Sequence, residues 1–119
     1  MKFEELCDAR YSLRKFDSRP VEAEKLQKVL EAGRKAPTAH NLQPQRFFVM
    51  QSEEALAKAD ACTACHFHPP VVIVAAYDPE VSWKREEDGK NHGEIDVTLA
   101  VSQMMLQAAE LGLGTTYVG

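Results

Sequence analysis

The chain lacks the long apolar segments of membrane proteins and the leader of exported ones. Its longest apolar run, Val71 to Tyr77, falls far short of the ~20 residues that a transmembrane helix needs. The first ten residues, MKFEELCDAR, contain acids and no apolar core. Three cysteines, an odd number, without an export signal indicate reduced thiols. We therefore expect a cytoplasmic protein with no membrane partner.

The chain also lacks a surplus of positive charge. It has 14 Lys and Arg against 18 Asp and Glu, and its net charge is −4. A nucleic-acid binder needs basic residues to neutralise phosphates, so this composition argues against one. Between Arg10 and Arg19, however, four basic residues accompany a single acid, Asp17. This local positive patch predicts a small anionic ligand.

No internal repeat or low-complexity segment interrupts the chain, and its length predicts one domain over residues 1–119. The residue patterns predict helices, strands and connections in this order: helix Phe3–Ala9, extended arm Arg10–Asp17, helix Val21–Lys35, loop Thr38–Pro44, strand Arg46–Gln51, a helix from Glu53 capped by Ser52, strand Val71–Tyr77, an exposed polar excursion Pro79–Gly93, helix Glu94–Leu111 and a strand beginning at Thr115. This order predicts an α+β fold, a small sheet packed by helices.

Two of these elements carry further expectations. The strand Val71–Tyr77 is apolar throughout, which predicts that it is buried on both faces and central in the sheet. The helix Glu94–Leu111 is almost entirely apolar, so it forms either the domain core or a subunit interface. Ile95, Leu99, Ser102, Leu106 and Ala109 form one apolar stripe, which Val101, Met105 and Ala108 widen. Asp96, in the first turn, suits the helix dipole and is assigned no catalytic role.

The extended arm presents a possible anion-binding face. Arg10, Ser12 and Arg14 are spaced by two, so their side chains point the same way in an extended segment. Two guanidinium groups and a hydroxyl suit a phosphate, a ribityl chain or the carbonyl edge of a ring. From spacing alone, a solvated charged strand remains the alternative.

The loop from Ala36 to Pro44 is small and polar, and two prolines stiffen it. Asn41 and Gln43 each offer a donor and an acceptor, which suits the edge of a planar heterocycle. A plain connection between a helix and a strand is the alternative.

A third pattern, Cys62 to His66, matches the C-x-x-C-H motif of haem attachment, and His68 follows closely. Cys62, Cys65, His66 and His68 therefore support the alternative of a haem- or metal-binding electron carrier. The chain has neither an export signal nor a second C-x-x-C pair. Chance or local packing is the favoured interpretation, and we predict no metal site.

Several segments form a specific combination when they are taken together. They are R-x-S-x-R at Arg10–Arg14, A-P-T and N-L-Q-P within Ala36–Pro44, the VVIVAA strand, Ile95-Asp96 and the helix end AAELGLG. Their order and spacing resemble the nitroreductase family over the whole chain. The resemblance implies a nitroreductase-like α+β fold, FMN as prosthetic group, and a homodimer with flavin sites at the subunit interface. It also implies hydride transfer from NAD(P)H through the flavin to a small acceptor such as a nitroaromatic or a quinone.

The resemblance implies cofactor-binding residues on both segments. The arm matches residues that contact the FMN phosphate, ribityl and pyrimidine end, and the loop matches one that reaches the partner subunit's flavin. These residues are Arg10, Ser12, Arg14, Pro37, Thr38, Asn41 and Gln43. Gln45 stands where many relatives have an aromatic residue, and Ala39 stands for a common serine. No protein acid or base is required, because the flavin performs the chemistry.

Members of the family normally continue beyond the position of Gly119. The resemblance therefore implies a domain that is incomplete at its C-terminal side. A further alternative follows from this, namely a truncated, non-catalytic dimeric domain without flavin.

Overall fold

A computed structural model describes all residues, 1–119. Its helices and strands are, in chain order, α1 (Phe3–Ala9), α2 (Ala23–Arg34), a 3-10 turn (Ala39–Asn41), β1 (Gln45–Met50), α3 (Glu53–Ala61), β2 (Val72–Tyr77) and α4 (Gly93–Glu110). The four predicted helices and the first two predicted strands are confirmed to within two residues at their ends. None of the helices combines the length and the apolar character that crossing a bilayer requires. The α+β prediction is confirmed.

The sheet contains only β1 and β2, which pair antiparallel from Gln45↔Tyr77 to Met50↔Val72. The prediction that β2 is central and buried on both faces is therefore wrong for this chain. Its Val74 is 41% exposed, opposite Phe48, which is 54% exposed. An apolar run indicates a strand, but it does not reveal which of the two faces another element covers.

The strand predicted from Thr115 is also absent. Thr115 forms a single parallel bridge with Ser12 and no longer ladder. A strand needs a partner over several residues, whereas the arm 10–17 lies beside the segment that follows α4 only at the bridge between Ser12 and Thr115.

The core lies where α2 crosses α4. Gly33 allows the close approach, since a Cβ atom there would lie 2.6 Å from the Sδ atom of Met104. Val29, Met104 and Ala108 form the buried cluster, and Phe47 of β1 packs against it. This contact sets the point from which the chain leaves α2 for the loop 36–44.

The buried side of α4 differs from the predicted stripe. It consists of residues spaced by four, namely Asp96, Ala100, Met104 and Ala108. Ile95 and Leu99 of the predicted stripe are 42% and 46% exposed. Apolar residues occur on several sides of this helix, and its buried side contains an acid, so the sequence left open which side is inward. An apolar surface of α4 consequently faces outward.

The cap of α3 is confirmed and gives a first testable prediction. The Ser52 hydroxyl oxygen accepts a hydrogen bond from the Ala55 amide at 3.1 Å. Ser52→Ala should lower the free energy of unfolding by about 1 kcal/mol, because a helix amide loses its partner. Urea denaturation followed by circular dichroism measures this loss. Ser52→Asp should retain most of the stability, whereas equal stability of the alanine variant would contradict the cap.

Candidate functional site

The arm between α1 and α2 is extended, as predicted, and it is anchored beside the end of α4. The Leu13 amide donates to the Thr115 carbonyl at 2.8 Å. The Leu13 side chain rests on Gly114, where a Cβ atom would lie 2.2 Å from its Cδ2 atom. Because side chains alternate along an extended segment, Ser12 and Arg14 point away from this packing. The backbone is extended at Arg10, and Ser12 forms a parallel bridge with Thr115, which is compatible with the predicted binding face.

Arg10 and Arg14 differ from the other four arginines of the chain in having no partner. Three of the others pair with a carboxylate and one donates to two carbonyls, as follows: Arg19 with Asp17, Arg34 with Glu31, Arg85 with Asp88, and Arg46 with the Gln43 and Gln45 carbonyls. Neither Arg10 nor Arg14 makes an ion pair or a side-chain hydrogen bond. Two unneutralised guanidinium groups thus lie on one short segment.

Two of the paired arginines lower the pKa of the carboxylate beside them. The hydrogen bond from Arg34 lowers the pKa of Glu31, and the hydrogen bond from Arg85 lowers the pKa of Asp88. Each of these guanidinium groups already has an anionic partner within the chain. The arm arginines have none, so an external anion meets no internal competitor there.

The loop 36–44 is held in a defined shape by its own hydrogen bonds. The Asn41 amide donates to the Thr38 carbonyl at 3.0 Å, and the Gln43 amide donates to the Thr38 hydroxyl oxygen at 3.0 Å. The Gln45 side chain is buried and donates to the Gly33 carbonyl at 3.1 Å. Thr38 therefore shapes the loop, a role that its sequence position did not indicate.

Three residues of the loop have left-handed backbone conformations. His40, Asn41 and Gln43 have φ angles of 54°, 53° and 53°. Such conformations are uncommon outside glycine and occur preferentially at functional sites. The side chains of Asn41 and Gln43 are exposed and make no hydrogen bond within the chain. Their side-chain carboxamide groups are available to a ligand, and Pro37 is exposed beside them.

The first turn of α4 holds this loop in place, which the sequence did not reveal. Asp96 is 1% exposed, and its Oδ1 atom accepts from the Ala39 amide at 3.0 Å. The helix-dipole interpretation of Asp96 was too narrow. An acid on the same face as Ala100 and Met104 was the available signal, because a buried acid needs a donor. No local pattern identified Ala39 as that donor.

The polar excursion Pro79–Gly93 is exposed over much of its length, as predicted, but one part of it is covered. Ser82 is buried and Trp83 is half-buried. The Trp83 ring lies between two imidazoles, with centroids 4.7 Å from His40 and 4.6 Å from His92. Trp83 thus anchors the excursion against the loop, while residues 86–90 remain exposed.

The arm and the loop are anchored at opposite ends of α4. The arm is fixed at Thr115, just after the helix, and the loop is fixed at Asp96, in its first turn. At 1.5 Å per residue, Asp96 and the helix end at Glu110 are about 20 Å apart. No hydrogen bond joins the two segments within the chain. The predicted cofactor-binding residues therefore form two separate groups in one chain.

The C-x-x-C-H segment forms no comparable arrangement. Cys62 and Cys65 are free and exposed, and the Cys62 thiol donates to the Lys58 carbonyl at 3.3 Å. His66 lies 2.9 Å from the Asp60 carboxylate. No three His, Cys, Asp or Glu side chains are grouped so that they would hold a metal ion. The electron-carrier alternative gains no support from this geometry.

Comparison with known proteins gives a consistent result. The model of the nitroreductase family matches residues 8–69 and 59–119. A relative from Archaeoglobus fulgidus, named as a candidate NADH dehydrogenase or NAD(P)H nitroreductase, is 30% identical over 92% of the chain. The chain spans 63% of the length of that relative.

Two solved structures illustrate the similarity of fold. A nitroreductase family protein from Clostridium difficile is 43% identical and superposes with a TM-score of 0.95, covering 100% of this chain and 69% of its own. A nitroreductase-like protein from Desulfovibrio desulfuricans, solved in complex with FMN, is 28% identical with a TM-score of 0.82, covering 98% of this chain and 67% of its own. The nitroreductase-like fold is thus confirmed.

Proposed function

The chain belongs to the nitroreductase family, and from that membership we propose that it is the FMN-binding part of an NAD(P)H-dependent oxidoreductase. The acceptor is a small oxidised molecule such as a nitroaromatic or a quinone. One observation carries the proposal. Of the six arginines, only Arg10 and Arg14 lack an internal partner, and they flank Ser12 on an anchored, extended arm.

The donor groups of this chain fit a flavin mononucleotide. Arg10, Ser12 and Arg14 supply two cations and a hydroxyl for an anionic phosphate and for a polar ribityl chain. The exposed side-chain carboxamide groups of Asn41 and Gln43 supply donors and acceptors for the heterocycle edge. A guanidinium group near a carbonyl of the ring stabilises negative charge there. Bound FMN supplies the hydride chemistry, and these residues bind and orient it.

We further propose that the site is shared between two copies of the chain. The arm and the loop are anchored at opposite ends of α4. An antiparallel arrangement of two α4 helices brings the arm of one copy beside the loop of the other. The outward apolar side chains Ile95 and Leu99, which are 42% and 46% exposed, support a contact along this helix. A homodimer in the cytoplasm is therefore part of the proposal.

Absorbance spectroscopy tests the proposed function. The purified chain is expected to be yellow or to become so with added FMN, and NADH or NADPH is expected to bleach the flavin band anaerobically. Light scattering in the same buffer should give the mass of a dimer. A colourless protein that takes up no FMN would refute the proposal. A Soret band or stoichiometric metal that disappears in Cys62→Ser would favour the electron carrier, and a flavin-free dimer would favour a non-catalytic domain.

A further inference from the structure

Asp96 is a buried carboxylate that stability alone does not explain. It is 1% exposed and lies on the inward side of α4. Its Oδ1 atom accepts one hydrogen bond, from the Ala39 amide at 3.0 Å, and its buried Oδ2 atom has no partner. Burying an acid with an unsatisfied oxygen costs free energy, and an apolar residue would pack there without that cost. The one bond that it makes is therefore the informative feature.

That bond reaches the segment whose shape matters for ligand binding. Ala39 is the first residue of the 3-10 turn Ala39–Asn41, and left-handed conformations follow at His40 and Asn41. A backbone in these conformations persists only where its surroundings hold it. Within the loop, the Asn41 and Gln43 backbone amides donate to Thr38 and the Leu42 amide donates to the Ala39 carbonyl. The Asp96 carboxylate adds a bond to a rigid helix.

A ring stack provides a second tie between the same two regions. His40 of the turn packs on Trp83, which packs on His92 at the start of α4. His92 and Asp96 are one helical turn apart, so both ties leave the same end of α4. The His92 Nε2 atom is buried without a partner, as is Asp96 Oδ2. The ring stack limits movement of His40, while Asp96 fixes the backbone before it.

We propose that Asp96 is a positioning residue. It fixes the turn Ala39–Asn41 and thereby orients the side-chain carboxamide groups of Asn41 and Gln43 towards the flavin. It touches neither flavin nor substrate, and it acts through the Ala39 amide. The part that concerns the flavin rests on the function proposed above. The other part concerns only the hydrogen bond from the Ala39 amide to the Asp96 carboxylate, called the tether below, and it rests on that bond alone.

Hydrogen exchange at the Ala39 amide tests the tether without any flavin. In the unaltered chain this amide should be protected, although the neighbouring turn is exposed. Asp96→Ala should raise its exchange rate by about tenfold or more, relative to the Phe48 amide of β1, because the amide loses its hydrogen-bond acceptor. Asp96→Asn keeps an acceptor oxygen and should restore most of the protection.

Met104→Ala is the matched control, since it damages the same buried side of α4 without touching Ala39. It should lower stability and leave the ratio of Ala39 to Phe48 exchange unchanged, because Phe48 of β1 lies outside the cluster that Met104 forms with Val29 and Ala108. An unprotected Ala39 amide in the unaltered chain would overturn the tether, even if Asp96→Ala fails to fold. The same ratio in Met104→Ala and Asp96→Ala would overturn it as well.

FMN titration tests the effect on the cofactor. Asp96→Ala should weaken FMN binding by about tenfold, because the loop loses a hydrogen bond that holds its binding conformation, and Asp96→Asn should recover the affinity. If the unaltered chain binds FMN and Asp96→Ala binds it equally well, the positioning role is wrong and the proposed function stands. If the unaltered chain binds no FMN, the proposed function and the flavin part fall together, and exchange at Ala39 still decides the tether.

Discussion

Arg10→Ala is expected to weaken FMN binding by about 10- to 100-fold. The reason is that one hydrogen bond to a charged group contributes about 1.5–3 kcal/mol. Arg10 is half-buried and has no partner in the chain. Its whole donor capacity is therefore available to the ligand. Titration of the chain with FMN, followed by quenching of flavin fluorescence, measures the change.

Arg19→Ala is the control for this experiment. Arg19 lies on the same exposed stretch and has the same charge, but its guanidinium group pairs with Asp17 at 3.4 Å. The control variant should bind FMN within about twofold of the unaltered chain, since exposed ion pairs contribute little. Equal weakening in both variants would mean that only net charge matters. Unchanged binding by Arg10→Ala would remove this residue from the site.

Gly33→Val is expected to lower the free energy of unfolding by about 3 kcal/mol, because extra atoms in a packed core force neighbours apart. At this position a Cβ atom alone would lie 2.6 Å from Met104 Sδ and 2.9 Å from the Phe47 ring. The Met104 side chain can adjust, whereas the ring is held in β1. Urea denaturation followed by circular dichroism gives the change in stability.

Two further variants separate crowding from backbone effects. Gln27→Val adds the same side chain at an exposed position of α2, and it should cost only about 0.5 kcal/mol, the weaker helix preference of valine. Combining Gly33→Val with Met104→Ala should destabilise the chain less than the sum of the single changes, because the second opens room for the first. Additive losses would show that Gly33 and Met104 do not share the contact described here.

The sequence by itself determined the local elements. Ser52 and the acids after it marked the start of α3, and Ala36-Pro37 marked the end of α2. The R-x-S-x-R arm was predicted to be extended and not helical, and the backbone is extended at Arg10 and bridged at Ser12. These predictions succeed because capping, proline geometry and apolar period act between residues close in the chain. The family could be recognised for the same reason, since its motifs are short and local.

Only the tertiary structure decided which surfaces meet. It determined the inward side of α4, left one face of β2 exposed, and brought the Asp96 carboxylate to the Ala39 amide. It also anchored the arm and the loop at opposite ends of one helix. The α4 helix has apolar residues on several sides, and residues 57 apart share no local pattern. These features depend on how segments distant in the chain pack together. Close packing requires complementary shapes, and buried polar groups require hydrogen-bond partners, and neither can be read from a local sequence pattern.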